Sequence, residues 1–276
     1  MGVYSSDQIN WLEQAILSVV NQTYKNFLFT IVIDGHIDSS MSDYLGDLSL
    51  EHDNILLIKS EHNRGLSSSM NFVIDWMLEN NPKAKYFFRM DSDDISLPDR
   101  FEKQIAFFEK NLNVSVLGTS LVEINEKGKK VGKRKLPIAD HEVKRILPRR
   151  CAINHPTVVI RTEVFMAGYR YRAELKNTQD YFLWAELSAA GYRFANLPEA
   201  LLQFRRVNDF YKRRGLSKSI NEFKARFYVM KKLKRYSLGN VLYALTVLLL
   251  RLMPAKIVKL AYKLDRYLLN KRVRHE

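Results

Sequence analysis

The chain has 276 residues, of which 46% are hydrophobic and 27% are charged, and its net charge is +14. These values are ordinary for a globular protein and allow one large α/β domain with an appendage. The single cysteine, Cys151, excludes an internal disulfide and fits a reducing compartment. The chain opens without a basic and then apolar leader, so we expect no secretory signal.

The positive charge is concentrated towards the carboxyl end. Residues 205–276 contain 20 Lys and Arg against four Asp and Glu, whereas residues 1–204 contain 24 against 26. The body is therefore close to neutral and the tail carries the whole excess. A tail of this kind suits an anionic lipid surface or a nucleic acid.

Strand and helix patterns alternate through the first part of the chain. Residues 2–4 look like the end of a strand, and residues 10–21 have the apolar spacing of a helix. Residues 27–33 form a continuous apolar and β-branched run, as expected for a strand buried on both faces, and residues 54–58 form a second strand. A turn at 63–66 leads into a helix whose apolar face is Met70, Val73, Ile74 and Met77. This alternation predicts a parallel sheet with helices on both sides.

The stretch 86–100 holds three carboxylates, Asp91, Asp93 and Asp94, just after the apolar run 86–88. In extended backbone Asp91 and Asp93 point to one side, so both can face one cation. Closely packed carboxylates repel one another, and all-oxygen ligands favour Mg²⁺ or Mn²⁺. Because α/β sheets bind their ligands at the carboxyl ends of strands, we expect a metal-bound diphosphate here.

Other interpretations of this stretch compete. An Asp-rich turn can be a solvated loop. A calcium loop counted from Asp91 needs Gly at its sixth position, where Ser96 stands, and its fifth position is the apolar Ile95, so we reject it. A haloacid-type phosphatase would carry its D-x-D on the first strand, whereas here it follows about the fourth. A Mg²⁺-dependent nucleotidyltransferase acting on sugar phosphates would also use Asp91 and Asp93, although no Gly-rich triphosphate loop lies near the N-terminus.

Two further carboxylates stand at the ends of predicted elements. Asp34 follows a strand and can accept hydrogen bonds from a base or a ribose, although a turn residue before Gly35 is the simpler interpretation. Asp180 lies in the first turn of a predicted helix. It is either a residue that stabilises the helix dipole or a general base that points back to the metal crevice.

Taken together, these motifs resemble family 2 glycosyltransferases of the GT-A fold, specifically the bacterial exopolysaccharide and O-antigen branch that includes amylovoran-type enzymes. The resemblance covers about residues 2–214. It rests on the order and spacing of Val3-Tyr4, residues 18–23, Asp34-Gly35, Asn63-Arg64-Gly65-Leu66 with Asn71, residues 89–94, residues 98–104, Asn154-His155-Pro156 and residues 179–184.

The resemblance implies transfer of a sugar from a nucleotide donor, such as a UDP-sugar, with inversion at the anomeric carbon. Asp34 matches the acidic residue that holds the nucleoside base. Asp91 and Asp93 match the D-x-D acids, and the second is the usual metal contact. Asp180 matches the catalytic base, and His155 lies near the acceptor side in related enzymes. The remaining motif residues assigned to the donor site are Asn63, Gly65, Asn71 and Arg89.

Three positions extend or depart from the family pattern. Arg205 follows a predicted strand at 201–204 and either closes on the donor diphosphate or begins the basic tail.

A strand of about five apolar residues, which family members have before Val3, is missing. Unpaired ladder groups cost ~1–3 kcal/mol each, so we expect the chain as written to be poorly stable or inactive. Gln179 replaces the Glu of many relatives and leaves the base in place.

The fold predicted from these patterns is a GT-A domain over residues 1–206, followed by a basic helical tail over 207–276. Residues 241–250 are apolar or Thr but too short to span a membrane, which takes ~20 residues. Residues 256–272 have the apolar and basic faces of an interfacial helix or of a helix packed on the body. The expected partners are a nucleotide sugar, a lipid-linked glycan acceptor and an anionic membrane surface, with no nucleic acid. The expected location is the cytoplasm, peripheral on the inner face of the membrane.

Overall fold

The computed structural model describes residues 1–175, 177–207 and 216–253. Its strands are β1 Gly2–Val3, β2 Phe29–Asp34, β3 Ile55–Ser60, β4 Tyr86–Phe88, β5 Ile95–Ser96, β6 Val116–Ile124, β7 Lys130–Arg134, β8 Val159–Arg161 and β9 Phe194–Arg205. Its helices are α1 Ile9–Val20, α2 Ser39–Glu51, α3 Leu66–Asn80, α4 Arg100–Lys110, α5 Asp140–Ile146, α6 Thr162–Met166, α7 Gln179–Ala189, α8 Leu216–Lys232 and α9 Leu238–Leu252.

The strands form two sheets. The first is parallel, in the order β1-β2-β3, and β1 consists of Gly2 and Val3, which pair with Val32 and Ile33. The second runs β4-β8-β6-β9-β5, with β7 paired to β6. In it only β6 and β9 pair in parallel, and the other four pairings are antiparallel.

The predicted α/β architecture is confirmed, and the sheets differ from it in one respect. The parallel arrangement holds for the first sheet, where helices connect the strands. The second half of the chain instead builds a mixed sheet, in which β6–β7 is a hairpin and the other antiparallel pairs join strands that are distant in the chain. The structure also contains α2, which the sequence patterns did not indicate. Its many Ser and Asp residues weaken the helical pattern, and only Met41, Leu45 and Leu48 are buried.

The core is made by helices that pack on both sheets. The largest cluster joins α3, α7 and β8 and contains the fully buried Trp184. A second cluster joins α1 and α2 to β2 and includes Phe101 of α4. These two clusters fix the carboxyl ends of β2 and β4, where the acidic residues lie.

Part of the predicted tail packs on this body. Ala225 and Val229 of α8 belong to the largest core cluster, and the ring of Tyr228 lies 4.5 Å from that of Phe182 in α7. The division of the chain after residue 206 stays a prediction, and the predicted amphipathic segment 256–272 lies outside the described residues. None of the helices in the described part of the chain has the length and apolar character that crossing a membrane requires.

Candidate active site

The acidic turn, residues 91–94, connects β4 to β5 and is held in place by α1. Ser96 donates its backbone N–H to the hydroxyl of Ser18 at 3.0 Å. The buried Gln22 side chain donates to the carbonyl of Leu97 at 2.8 Å and accepts from the N–H of Phe101 at 3.1 Å. The motif at residues 18–23 therefore serves to anchor the segment that follows the acidic turn.

The acidic turn gathers three carboxylates. One oxygen from each of Asp91, Asp93 and Asp94 lies within 4.8 Å of the others. Burial raises the pKa of Asp93 to about 7, and the charges of Asp91 and Asp7 add to this effect. Burial also raises the pKa of the fully buried Asp94, with Asp91 and Asp93 contributing. A cation at this point would relieve the part of these pKa shifts that comes from repulsion among the carboxylates.

This donor set fits a divalent cation of the Mg²⁺ or Mn²⁺ type. All three groups offer hard oxygen ligands, which such ions prefer. Within the described residues, Oδ2 of Asp94 is buried without a hydrogen-bond partner. Sequence analysis assigned only Asp91 and Asp93 to the metal, and the position of Asp94 makes it a third candidate ligand.

Arg89 is a buried cation next to the acidic turn. It is buried and forms a two-pronged ion pair with Asp91, in which Nη1 lies 2.7 Å from Oδ2 and Nη2 contacts Oδ1. This pairing neutralises one of the three carboxylates in the turn. The predicted role of Arg89 in donor binding stays a prediction, since its guanidinium is engaged with Asp91.

Asp7 is a carboxylate of the site that sequence analysis missed. Its Oδ2 accepts hydrogen bonds from the hydroxyl of Ser92 at 2.9 Å and from the N–H of Tyr4 at 3.1 Å. Burial raises the pKa of Asp7, and the charge of Asp91 adds to the shift. A carboxylate shortly after β1 is the signal that could have indicated it, because β1 ends at the same edge as β2.

Arg205, at the end of β9, holds the acidic turn through hydrogen bonds. Its N–H donates to Oδ1 of Asp94 and its Nε donates to the carbonyl of Asp93, both at 2.9 Å. Its Nη2 donates to Oε1 of Gln14 at 2.8 Å, and its guanidinium lies 5.2 Å from the ring centre of Trp11. The side chain is therefore committed to the protein, and a contact with the donor diphosphate stays a prediction.

Asp34 lies at the end of β2 and organises the loop 63–65. Its two carboxylate oxygens accept the N–H groups of Arg64 at 2.8 Å and Gly65 at 2.9 Å, and its carbonyl accepts from Nδ2 of Asn63 at 3.3 Å. The three predicted residues Asp34, Asn63 and Gly65 are thus brought together. Each carboxylate oxygen keeps a second lone pair, so the group can still accept from a nucleoside base.

Asn71 links α3 to the backbone of Tyr171. Its Nδ2 donates to the carbonyl of Tyr171 at 2.7 Å, and its Oδ1 accepts the N–H of the same residue at 2.9 Å. The hydroxyl of Tyr171 in turn lies 3.1 Å from Nε2 of His155. Asn71 therefore positions the partner of His155, and its predicted contact with the donor stays a prediction.

His155 is buried and uncharged in this arrangement. Burial lowers the pKa of its imidazole well below the usual value, and the nearby charge of Arg89 lowers it further. Its ring lies 5.4 Å from that of Tyr171 and 6.2 Å from that of Trp184, centre to centre. A neutral imidazole donates one hydrogen bond and accepts another, so it can position a polar partner here.

Asp180 lies in the first turn of α7, where the backbone is strained. The residue before the helix, Thr178, has φ = 64° and ψ = 9°, which a β-branched side chain rarely adopts. Burial raises the pKa of Asp180, whereas the N–H of Tyr181 and the charge of Arg89 lower it. The thiol of Cys151 lies 3.7 Å from Oδ2 of Asp180 and 3.2 Å from the carbonyl oxygen of Ile153, so its one proton can be donated to either acceptor. Cys151 is a second residue of the site that sequence reasoning missed.

The charge of Arg89 acts both on the acidic turn and on Asp180. Arg89 pairs with Asp91, and its charge also shifts the pKa values of Asp180 and His155. One buried arginine therefore acts electrostatically on two kinds of carboxylate, the metal-suited group of the acidic turn and Asp180, whose pKa shift has no acidic residue among its causes.

Comparison with known proteins gives one family throughout. The family model "Glycosyl transferase family 2" matches residues 3–170. The amylovoran biosynthesis glycosyltransferase AmsE of Erwinia amylovora is 30% identical over 272 residues, which cover 96% of this chain and 97% of that protein. A UDP-Gal:alpha-D-GlcNAc-diphosphoundecaprenol beta-1,3-galactosyltransferase of Escherichia coli is 26% identical over 265 residues, which cover 95% of this chain and 94% of that protein.

A solved structure shows the same fold. Residues 1–349 of S. aureus TarS, in complex with UDP-GlcNAc, superpose with a TM-score of 0.65 over 91% of this chain and 71% of that chain. The two sequences are 16% identical, so this likeness concerns the fold alone.

Proposed function

The chain belongs to glycosyl transferase family 2 and is a glycosyltransferase, and we propose that it moves a sugar from a nucleoside diphosphate donor, such as a UDP-sugar, to a glycan acceptor with inversion. The observation that carries the proposal is the cluster of Asp91, Asp93 and Asp94, in which one oxygen from each carboxylate lies within 4.8 Å of the others. The similarity to a protein of amylovoran biosynthesis supports a role in surface polysaccharide synthesis.

Asp180 is the proposed general base. An acceptor hydroxyl is a very weak acid, so it reacts only when a carboxylate within about 2.6–3.2 Å takes its proton as the new bond forms. Burial raises the pKa of Asp180, which makes it a stronger base, and the charge of Arg89 acts in the opposite direction by favouring the ionised form. One Asp180 oxygen would take the proton while the other accepts from the thiol of Cys151.

The acidic turn is the proposed site of the donor diphosphate. Asp91, Asp93 and Asp94 would hold Mg²⁺ or Mn²⁺, which supplies charge neutralisation for the departing nucleoside diphosphate. Asp34 and the loop 63–65 would bind the nucleoside at the end of β2. Arg205 and Gln22 keep the acidic turn in one position, so little reorganisation is needed when the donor binds.

The proposed acceptor is a glycan carried on a lipid diphosphate. The 26% identical relative acts, by its name, on a sugar linked to diphosphoundecaprenol. Such an acceptor would require the enzyme to work at the inner face of the cytoplasmic membrane. The described part of the tail supports this, because Leu238, Leu242, Leu245 and Leu249 expose 41–76% of their surface along one face of α9. Exposed lysines at 231, 232 and 234 flank this leucine face and suit anionic lipid.

The activity is tested with a panel of nucleotide sugars, each incubated with Mn²⁺ and lipid-linked acceptor. We expect release of a nucleoside diphosphate together with a glycosylated acceptor. Asp180→Asn should lower kcat about 10²–10⁴-fold with little change in donor affinity, because it removes only the base. Release of pyrophosphate from a nucleoside triphosphate and a sugar phosphate would identify a nucleotidyltransferase instead.

Membrane attachment is tested by sedimentation with liposomes that contain anionic lipid. We expect the protein to pellet, and we expect the pair Leu242→Glu and Leu249→Glu to prevent this without lowering the melting temperature. Leu50→Glu is the matched control, because Leu50 is 84% exposed but lies on α2. Binding that survives the paired change would remove α9 from the proposed attachment.

A further inference from the structure

The loop that joins β6 to β7 and the strand β7 itself are strongly basic. Residues 125–135, the basic hairpin, contain five Lys and one Arg against one Glu, whereas the rest of residues 1–204 contains 18 Lys and Arg against 25 Asp and Glu. Lys127, Lys129, Lys130 and Lys133 are exposed, and within the described residues none of these four forms an ion pair. The basic hairpin therefore carries positive charge that its surroundings do not neutralise.

The tip of the basic hairpin is held in one conformation by Asn125. Its Oδ1 accepts the N–H of Lys127 at 3.1 Å and that of Lys129 at 2.9 Å. Its own N–H donates to the carbonyl of Lys129, and its carbonyl accepts the N–H of Gly128, both at 2.9 Å. Gly128 has φ = 76°, which suits glycine in such a turn. The backbone that carries the tip lysines is therefore fixed before any ligand binds.

The tip also contacts the residue that holds the acidic turn. Nη1 of Arg205 donates to the carbonyl of Asn125 at 3.4 Å and to that of Glu126 at 3.3 Å. Nε of the same guanidinium donates to the carbonyl of Asp93 at 2.9 Å. A single arginine therefore joins the tip of the basic hairpin to the acidic turn.

The other end of the basic hairpin contacts the segment that reaches Asp180. Nη1 of Arg134 donates to Oδ1 of Asn154 at 3.3 Å. Cys151, whose thiol lies 3.7 Å from Oδ2 of Asp180, is three residues before Asn154. Three residues of chain span at most about 10 Å. The basic hairpin therefore runs from the neighbourhood of the acidic turn to that of the proposed base.

We propose that the basic hairpin binds the diphosphate of the acceptor through its exposed lysines, an inference that rests on the lipid-linked acceptor of the proposed function. The acceptor would then be held at two points, with a sugar hydroxyl at Asp180 and the diphosphate at Lys127, Lys129, Lys130 and Lys133. Ammonium groups on flexible stems are suited to phosphate oxygens because they act as mobile point charges.

Charge at this edge of the molecule explains why such a site is needed. The acidic turn and the excess of acids in the rest of the body repel a second diphosphate that approaches the site. Lysines on an edge strand also prevent pairing with other chains, which accounts for Lys130 and Lys133 of β7. It does not account for Lys127 and Lys129, which lie in the tip and outside the strand.

Direct binding is measured by calorimetry with farnesyl diphosphate as the probe and farnesol as its uncharged counterpart. The buffer contains EDTA, so that no metal lets the acidic turn bind the probe as a donor diphosphate. We expect the triple variant Lys127→Gln, Lys129→Gln and Lys130→Gln to bind farnesyl diphosphate about tenfold more weakly and farnesol equally well. Raising the salt from about 50 to about 300 mM should weaken only the binding of the diphosphate. Equal affinity of the triple variant and the original protein for farnesyl diphosphate, or no binding by either, would overturn the proposal.

Two control variants separate the charge of the basic hairpin from its fold and from the total charge of the protein. One is the triple variant Lys83→Gln, Lys85→Gln and Lys110→Gln, which removes three exposed lysines outside the basic hairpin and should leave the affinity unchanged. The other changes the three hairpin positions to Arg, which keeps the charge and should keep the affinity, even where the glutamines lower the melting temperature. Affinity that falls as far in both controls as in the hairpin variant would also overturn the proposal.

Turnover measures the same contact during the reaction. With the lipid-linked acceptor in neutral detergent, the hairpin variant should raise the KM for acceptor about tenfold and leave kcat nearly unchanged, because Asp180 and the acidic turn are intact. An acceptor with the same glycan on a phosphate-free lipid should have the same KM with both proteins.

The two assays distinguish failure of this inference from failure of the proposed function. Transfer with an unaltered acceptor KM in the hairpin variant would overturn the inference and leave the proposed function in place. Absence of transfer by a protein whose lysines still bind farnesyl diphosphate would do the reverse. Weaker sedimentation of the hairpin variant with anionic liposomes, at unchanged affinity for farnesyl diphosphate, would assign the lysines to the lipid surface and overturn the inference.

Discussion

Asp93→Asn should stabilise the metal-free protein. Burial and the neighbouring carboxylates raise the pKa of Asp93 from 3.8 to about 7 in the folded state. Each pKa unit between the folded and unfolded states corresponds to about 1.4 kcal/mol, so ionised Asp93 opposes folding by up to ~4 kcal/mol. Asparagine has nearly the same shape and no charge, so the substitution should recover much of this free energy.

The sign of the pH dependence follows from the raised pKa. The protonated carboxyl contributes its stability fully below pH 3.8, and this contribution is lost as the pH rises through about 7. The difference between the variant and the original protein should therefore be small at pH 4 and largest at pH 8. For a chain of this size, ~1 kcal/mol corresponds to about 2–4 °C in melting temperature.

Thermal unfolding in a chelating buffer measures this difference, and Asp99→Asn serves as the control. Asp99 is a more exposed carboxylate, paired with Lys103 at 2.7 Å, so its substitution should change the melting temperature little. Adding Mn²⁺ should stabilise the original protein and have little effect on Asp93→Asn, so the order of the two reverses. A metal-free variant that melts below the original protein at pH 8 would refute the reasoning.

Three further predictions concern the residues that position the site. Gly35→Ala should destabilise the protein by more than ~1 kcal/mol and weaken donor binding, because Gly35 has φ = 89° and an added Cβ would lie 2.9 Å from the backbone N of Asn63. The control is Gly46→Ala, because nothing lies within 4 Å of a Cβ added there. Equal melting temperatures for the two variants would contradict this prediction. Asn71→Ala should lower the free energy of unfolding by about 1–3 kcal/mol, because it removes both hydrogen bonds to Tyr171. Denaturant titration compares it with Asn80→Ala, a change at an exposed position that should have little effect. An unchanged midpoint for Asn71→Ala would count against a positioning role. Arg205→Gln should weaken Mn²⁺ binding, because the acidic turn loses the hydrogen bond from Nε of Arg205 to the carbonyl of Asp93. Calorimetry measures the affinity for Mn²⁺. Unaltered binding would show that the contact between Arg205 and the acidic turn is dispensable.

The arrangement around Arg89 explains how closely spaced acids coexist with a separate base. Arg89 neutralises Asp91, and the remaining repulsion among the acidic residues stays within the turn and Asp7. Asp180 has no acidic neighbour among the causes of its pKa shift. The two carboxylate sites can therefore differ in chemistry although both lie near one arginine.

The acidic residues and their order could be identified from the sequence because they depend on local patterns. A buried strand followed by closely spaced carboxylates predicts a metal site wherever β4 lies, and the helices α1, α3 and α4 follow from their apolar spacing. The functions of Asn71 and Arg205 could not be obtained in this way. Both residues contact partners that are 100 or more positions away in the chain. Asn71 contacts Tyr171. Arg205 contacts Asp93, Asp94 and Gln14.

The sequence alone determined the α/β class, the acidic turn and the candidate base, since hydrophobic periodicity and short motifs report on neighbouring residues. Only the tertiary structure decided that Asp7 and Cys151 join the site, that Arg89 pairs with Asp91, and that the second sheet is mixed. The physical reason is that strand pairing and long-range side-chain contacts depend on how distant segments pack, and periodicity within one segment carries no information about its neighbours in space.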